Sequence, residues 1–294
     1  MAVLASNGSG RQSPRMTEAF QTEPVRQLGC GDWYRFAQSQ WWQRLKSART
    51  SVLILDYDGT LAPFVRERME AKPYAGVSER LTRLAIIPEI RLAILSGRPV
   101  KDFSSLLPRK LNVEIWGSHG RERLCADGSY QTVPLNPIQK GYLAEFEKVI
   151  TSEGFAFALE HKVGSLALHT RGLDGENANR IIKVVRNHYE ALALREKSLS
   201  LEWLSFDGGI EIRARGWTKG DAVASILAEF PSDVPVACLG DDQTDEDAFA
   251  MLHNRVNAAS VLVRSQWKET AAKWWLIPPE ELLAFLDRYL EVQG

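Results

Sequence analysis

The chain has 294 residues, 45% hydrophobic and 25% charged, enough to bury a sizeable core in one large domain or two smaller ones. Its 36 basic and 37 acidic residues leave a net charge near −1, which excludes the basic footprint of a nucleic-acid binder and a polybasic membrane patch. Cys30, Cys125 and Cys238 have neither metal nor redox spacing and read as reduced thiols of a cytoplasmic protein, and no apolar run reaches membrane-spanning length.

Residues 1–48 read as an N-terminal extension. Its start, "MAVLASNGSGRQSPRM", lacks the charged and apolar regions of a secretory signal. No acid precedes Glu18, which leaves an organelle-transit reading open, while the dominance of Gly, Ser, Asn and Gln favours a disordered tail. "DWYRFAQSQWWQRLKSA" follows, with Trp33, Phe36, Trp41 and Leu45 at the spacing of one short amphipathic helix.

Short aliphatic runs then recur between helical patterns: "VLIL" at 52–55, "RLAIL" at 91–95, "VEIW" at 113–116 and "VPVACL" at 234–239. Continuous apolar runs suit strands covered on both faces, so they predict a parallel sheet in an α/β domain. "VSERLTRLAII" (77–87) and "TKGDAVASILAEF" (218–230) read as covering helices. Three of the runs stop at polar residues: Asp56, then Ser96-Gly97-Arg98, then Gly240-Asp241-Asp242. Open α/β sheets place ligands at the carboxyl ends of their strands.

Residues 136–215 read differently. "PIQKGYLAEFEKVI" is helical by Ile138, Leu143, Phe146 and Ile150. "FAFALEHKVGSLALHTR" alternates like a hairpin with Phe155, Phe157 and Leu159 on one face. A second helix, "ENANRIIKVVRNHYEALAL", precedes a hairpin around Asp207-Gly208. The order αββαββ predicts a small antiparallel unit inserted into the core. Its open face would carry Ala156, Ala158, Glu160 and Lys162 from one hairpin, with Glu211 and Arg213 from the other. Such a face suits a polar ligand, or simply solvent.

The strand-end residues suggest a chemistry. A carboxylate at Asp56 can attack phosphorus and form an acyl phosphate. Two anions repel, so the reaction needs a cation and hydrogen-bond donors. Mg²⁺ suits this, with Asp241 as a second carboxylate. Asp58 is spaced to protonate a leaving oxygen and later activate water. Ser96 and the Gly97 amide can hold phosphoryl oxygens. Lys219, at a helix start, faces the positive end of the dipole, an arrangement that a bound phosphate would make favourable. In "GDDQTDEDAF", Thr244 and Asp247 have capping-box spacing, and Asp245, Glu246 and Asp247 read as structural acids of a first helical turn. Asp242 is undecided between a place behind the metal ligands and a partner for the lysine.

Taken in order, "DYDGTLAP", "SGR", "TKGDAV" and "GDDQTDEDAF" resemble the motifs of the haloacid-dehalogenase-like (HAD-like) phosphatases. The resemblance implies a Rossmannoid parallel-sheet core at 49–135 and 216–294, with residues 136–215 as a C2b-type α+β cap. Within that superfamily, "GSHGRE", "LEHKVGSLALHTR" and "GIEIRARGWTKGDA" look like trehalose-6-phosphate phosphatases. That resemblance implies an Mg²⁺-dependent hydrolase with Asp56 and Asp58 as catalytic residues and Asp56, the Asp58 carbonyl and Asp241 as metal ligands. Ser96, Gly97 and Lys219 would bind phosphate. Glu160, Lys162 and Glu211 would contact the disaccharide, and Arg98 and His119 would bind the substrate near its phosphate and sugar. The expected partner is a small sugar phosphate, acted on by a monomer. The rival readings are a phosphatase for another glycosyl phosphate (glucosylglycerol phosphate, sucrose 6-phosphate or a glycosyl-3-phosphoglycerate), a sugar phosphomutase, and a catalytically silent sugar-phosphate sensor.

Overall fold

Two short helices begin the computed structural model, which describes residues 31–65, 67–108, 111, 113–196, 198–206 and 208–294. The tail reading for residues 1–30 and the turn residue Asp207 lie outside these. The helices are α1 (Trp33–Ala37) and α2 (Gln40–Ser47), where the spacing predicts one. The backbone extends at Ser39 between them. That break lets Phe36, Trp41, Trp42 and Leu45 all turn inward, and Phe36 stacks on Phe285 and Trp274.

The chain continues through β1 (Ser51–Leu55), α3 (Val77–Ala85), β2 (Ile90–Leu95), α4 (Phe103–Leu106), β3 (Glu114–Gly117), β4 (Glu122–Leu124) and β5 (Tyr130–Thr132). Then come α5 (Pro137–Ser152), β6 (Leu159–Lys162), β7 (Ser165–His169), α6 (Gly175–Arg195), β8 (Leu201–Phe206) and β9 (Gly209–Ala214). The last elements are α7 (Lys219–Leu227), β10 (Val236–Gly240), α8 (Glu246–Leu252), β11 (Ala258–Val263), β12 (Trp274–Leu276) and α9 (Glu280–Gln293).

Among the described residues the main sheet has eight strands, in the order β12-β11-β10-β1-β2-β3-β4-β5. It is parallel from β12 to β3, and β4 and β5 complete one edge antiparallel. All of β1 is buried, as its unbroken apolar run predicts. Period-two alternation divides it: Leu53 and Leu55 join a cluster with α2, α3 and α9, while Val52 and Ile54 join one with α7 and α8. The result is a three-layer α/β core. Strands β4, β5, β11 and β12 lie outside the predicted runs; β4, β5 and β12 have only three residues each, and β11 opens on two alanines and a serine before its Val-Leu-Val.

The second sheet is antiparallel, in the order β6-β7-β9-β8. Helices α5 and α6 cover one of its faces, where Phe146, Ile150, Ile181 and Val185 pack on Leu166, Leu168, Ile210 and Ile212. The first hairpin starts later than its alternation predicts. Ala156–Ala158 form a short 3-10 turn after Gly154, so Phe157 is 76% exposed and the two alanines leave the strand face.

Candidate active site

β1 lies between β10 and β2, and their registers match: Leu55 pairs with Leu239 on one side and Ile94 on the other. Asp56, Ser96 and Asp241 each follow one of these strands. Three carboxyl ends therefore meet at one rim of the sheet, the place such folds reserve for ligands.

Helix α7 delivers the lysine. Thr218 caps it, with a reciprocal bond from its own amide to Asp221. Lys219 is the first helical residue and only 2% exposed. Its Nζ donates to Asp56 Oδ1 and to Asp245 Oδ1, each at 2.7 Å. Burial disfavours its charge, but Asp245, Asp56 and Asp242 hold its pKa well above the ordinary lysine value. For Asp56 burial outweighs the lysine and lifts the pKa to about 6.

Asp245 is the residue that sequence reasoning missed. It is the N-cap of α8 but makes no side-chain cap, and the Thr244–Asp247 capping box does not form. Its Oδ2 instead accepts from the amides of Asp241 and Asp242, each at 3.1 Å. Thr244 turns back to Asp242, donating through both its amide and its hydroxyl at 2.7 Å. The run of acids hides this, because first-turn carboxylates are favourable on helix-dipole grounds alone.

Oxygens of Asp56, Asp241 and Asp245 lie within 4.8 Å of one another, and all three residues are buried. Burial and then the neighbouring carboxylates of Asp56, Asp245 and Asp242 push the Asp241 pKa well above normal. A hard divalent cation fits this all-oxygen, negative donor set. Gly59 keeps the approach open: its φ is +80°, and a Cβ there would sit 2.3 Å from Asp241 Oδ2. Arg264 adds a partly exposed positive charge, donating to the Asp241 carbonyl at 3.3 Å.

The Asp58 carboxylate is not in this cluster. Arg98 grips it bidentately, Nε to Oδ2 and Nη2 to Oδ1, both at 2.6 Å. The remaining Arg98 nitrogen, Nη1, is buried with no partner among the described residues. Ser96 is buried beneath it and accepts from the Arg98 amide at 3.2 Å. Gly97 lies against the His119 ring, and a Cβ there would come within 2.7 Å of Cε1.

His119 belongs to a strained turn. Ser118 and His119 are consecutive non-glycine residues with φ of 49° and 58°. Their amides donate to the carbonyls of Arg98 (2.8 Å) and Ser96 (2.9 Å), which fastens the turn to the loop after β2. The Ser118 hydroxyl donates to Glu122 and accepts from the Val163 amide in the β6–β7 turn.

The second sheet presents its helix-free face to this rim. Glu160, Ala167 and Glu211 align across β6, β7 and β9, as do Lys162, Ser165 and Arg213. Lys162 Nζ donates to Glu211 Oε2 at 2.8 Å, and His119 Nε2 stands 3.5 Å from Glu211 Oε1. Burial opposes the Glu211 charge, yet Lys162 and His119 hold its pKa well below the usual carboxylate value. Burial pushes His119 the other way, below the ordinary histidine value. Glu160 joins His169 at 2.9 Å and Arg68, rather than the Lys162–Glu211 pair. The sequence-derived residues therefore form two groups. Asp56, Lys219 and Asp241 gather at the rim, with Asp58 and Arg98 paired beside them, and His119 meets Lys162 and Glu211 above it.

A family model described as trehalose-phosphatase matches residues 54–277. A trehalose-phosphate phosphatase of Mycobacterium leprae is 29% identical over 264 residues, covering 82% of this chain and 58% of that protein. A trehalose-phosphatase of Schizosaccharomyces pombe is 26% identical, and the match spans only 30% of its length. A trehalose 6-phosphate phosphatase of Zea mays is 30% identical over 289 residues, covering 90% of this chain and 78% of that protein. Among solved structures, the C-terminal domain of the Candida albicans trehalose-6-phosphate phosphatase aligns with a TM-score of 0.68, at 22% identity over 85% of this chain and 95% of that one. At that identity the likeness speaks for the fold.

Proposed function

The chain belongs to the trehalose-phosphatase family, and on that premise we propose that it hydrolyses trehalose 6-phosphate to trehalose and phosphate, as in trehalose biosynthesis, through an aspartyl phosphate on Asp56. The observation that carries this reading is the 2.7 Å contact from Lys219 to Asp56 within a cluster of three buried carboxylates.

Lys219 engages Asp56 Oδ1, which leaves Oδ2 to attack phosphorus. The bond from phosphorus to the sugar oxygen breaks, and that oxygen takes a proton from Asp58. Water then attacks the acyl phosphate, Asp58 accepts its proton, and phosphate leaves. Ser96, the Gly97 amide and Lys219 hold the non-bridging oxygens. For Asp58 to deliver a proton, one of its oxygens must leave the Arg98 fork. The unpartnered Arg98 Nη1 is a donor that a phosphoryl oxygen would satisfy. Mg²⁺, held by Asp56, Asp241 and the Asp58 carbonyl, with Asp245 beside them and Asp242 behind, would neutralise charge on the phosphoryl oxygens. Residues 136–215 act as a cap over the core at 49–135 and 216–294, and Glu160, Lys162, Glu211 and His119 read the sugar hydroxyls.

No helix among the described residues is long and apolar enough to cross a membrane. We place the chain in the cytoplasm as a monomer. A phosphate-release panel over trehalose 6-phosphate, glucosylglycerol phosphate, sucrose 6-phosphate and glucosyl-3-phosphoglycerate, with and without Mg²⁺, tests metal, reaction and sugar together. Preference for any ester other than trehalose 6-phosphate overturns the substrate assignment.

A further inference from the structure

The segment after the Asp56 motif holds an arginine that the mechanism above does not use. Arg68 opens a short 3-10 turn, Arg68–Glu70, and its side chain is 29% exposed. Its two terminal nitrogens go to different parts of the molecule. Nη2 pairs with Asp102, a buried residue of the 3-10 turn that follows Ser96-Gly97-Arg98. Nη1 pairs with Glu160 on β6 of the second sheet. A planar guanidinium suits this bridge, because its donors keep a fixed angle while a lysine offers a single point charge.

Both partners of Glu160 fall on one oxygen. Arg68 Nη1 and His169 Nε2 each meet Oε2, His169 at 2.9 Å. The carboxylate can only accept, so His169 presents Nε2–H. Both of these pairings leave Oε1 as the oxygen to offer a ligand. Asp102 ties Arg68 to the loop after β2.

Resting on the sugar-phosphate reading, we propose that Arg68 is a specificity-positioning residue. With His169 it pins Glu160 Oε2, so that Oε1 faces a sugar hydroxyl when the cap lies over the core. Arg68 touches no reacting atom. It sets the geometry of a residue that reads the leaving group, and a carboxylate free to rotate would bind the hydroxyl less well.

The experiment is steady-state kinetics on the whole chain with Mg²⁺ and trehalose 6-phosphate, or whichever sugar phosphate the wild type prefers. Arg68→Ala is expected to raise KM about tenfold, which corresponds to about 1.4 kcal/mol, while kcat stays within about twofold. Arg68→Lys should raise KM less. Asp102→Asn, which releases the core anchor and keeps the arginine, should raise it in the same direction and guards against a variant that misfolds. In a double-mutant cycle, Arg68→Ala adds little to the effect of Glu160→Gln. An unchanged KM in Arg68→Ala, or effects of Arg68→Ala and Glu160→Gln that multiply, overturns the assignment of Arg68 alone. A wild-type chain that releases phosphate from no sugar phosphate overturns the function proposed above, and this role with it.

Discussion

Lys219 Nζ and Asp56 Oδ1 stand 2.7 Å apart with both side chains almost wholly buried, and the same ammonium reaches Asp245 at 2.7 Å. One cation therefore answers two carboxylates, with a third, Asp241, close by. Removing it leaves buried anions uncompensated. Lys219→Met should destabilise the metal-free chain by about 3 to 5 kcal/mol at pH 7.5, read from urea unfolding. It should also lower kcat at least about 100-fold. Near-normal stability in the variant would mean that the pair contributes little.

Asp56→Asn keeps the shape of the proposed nucleophile and removes its charge. Phosphate release should fall by at least about three orders of magnitude while the chain stays folded by circular dichroism. Unchanged release would rule out the aspartyl phosphate for any substrate.

The Asp56 pKa, raised chiefly by burial to about 6, makes a pH prediction. The folded state binds this proton more tightly than the unfolded state does. Its contribution to stability is therefore complete below about pH 4 and is lost as pH rises through 6. His119 titrates in the opposite sense nearby, so the comparison is wild type against Asp56→Asn in EDTA. The wild type should lose stability relative to the variant between pH 4 and pH 7. Mg²⁺ should raise Tm more at pH 7.5 than at pH 5, because the ligands must be deprotonated. An equal rise at both values would argue against binding at these carboxylates.

Gly59→Ala tests the carboxylate cluster without altering a charge. A Cβ at φ +80° costs about 1 kcal/mol or more and would collide with Asp241. Activity should fall at least about tenfold at ordinary Mg²⁺, with the Mg²⁺ dependence shifted to higher concentration if Asp241 is displaced. Full activity at ordinary Mg²⁺ would show that Asp241 moves aside freely.

Glu211→Gln should separate sugar reading from phosphoryl chemistry. It replaces the anionic partner that Lys162 holds at 2.8 Å with a neutral amide. The kcat/KM for trehalose 6-phosphate should fall about 10- to 100-fold, far more than for a small aryl phosphate. Equal losses on both esters would place Glu211 in the chemistry or the fold instead.

Much of this is legible in the sequence. The runs at 52–55, 91–95 and 234–239 are adjacent parallel strands, so the acids and the serine that follow them converge because the strands end in step. Lys219 was legible because a lysine at a helix start needs an anion. Asp245 was not, because its local context already explains an acid there, and its role depends on Lys219 arriving from 26 residues away. Arg68 was not, because the pair it bridges comes from residues 102 and 160 and no periodicity links them. The split of the first helix likewise follows from tertiary packing of Phe36 and two tryptophans rather than from spacing.

The left-handed turn at Ser118 and His119 stores about 1 kcal/mol or more at each residue. Glycine at either position would relax it, so an engineer seeking a hardier protein would be drawn there first. The same substitution at 118 deletes the hydroxyl that holds Val163, and at 119 the ring that touches both Gly97 and Glu211. Thermostability gained at this turn should therefore come with a slacker grip on the substrate. On the proposed function, this turn is one place where robustness and selectivity would pull against each other.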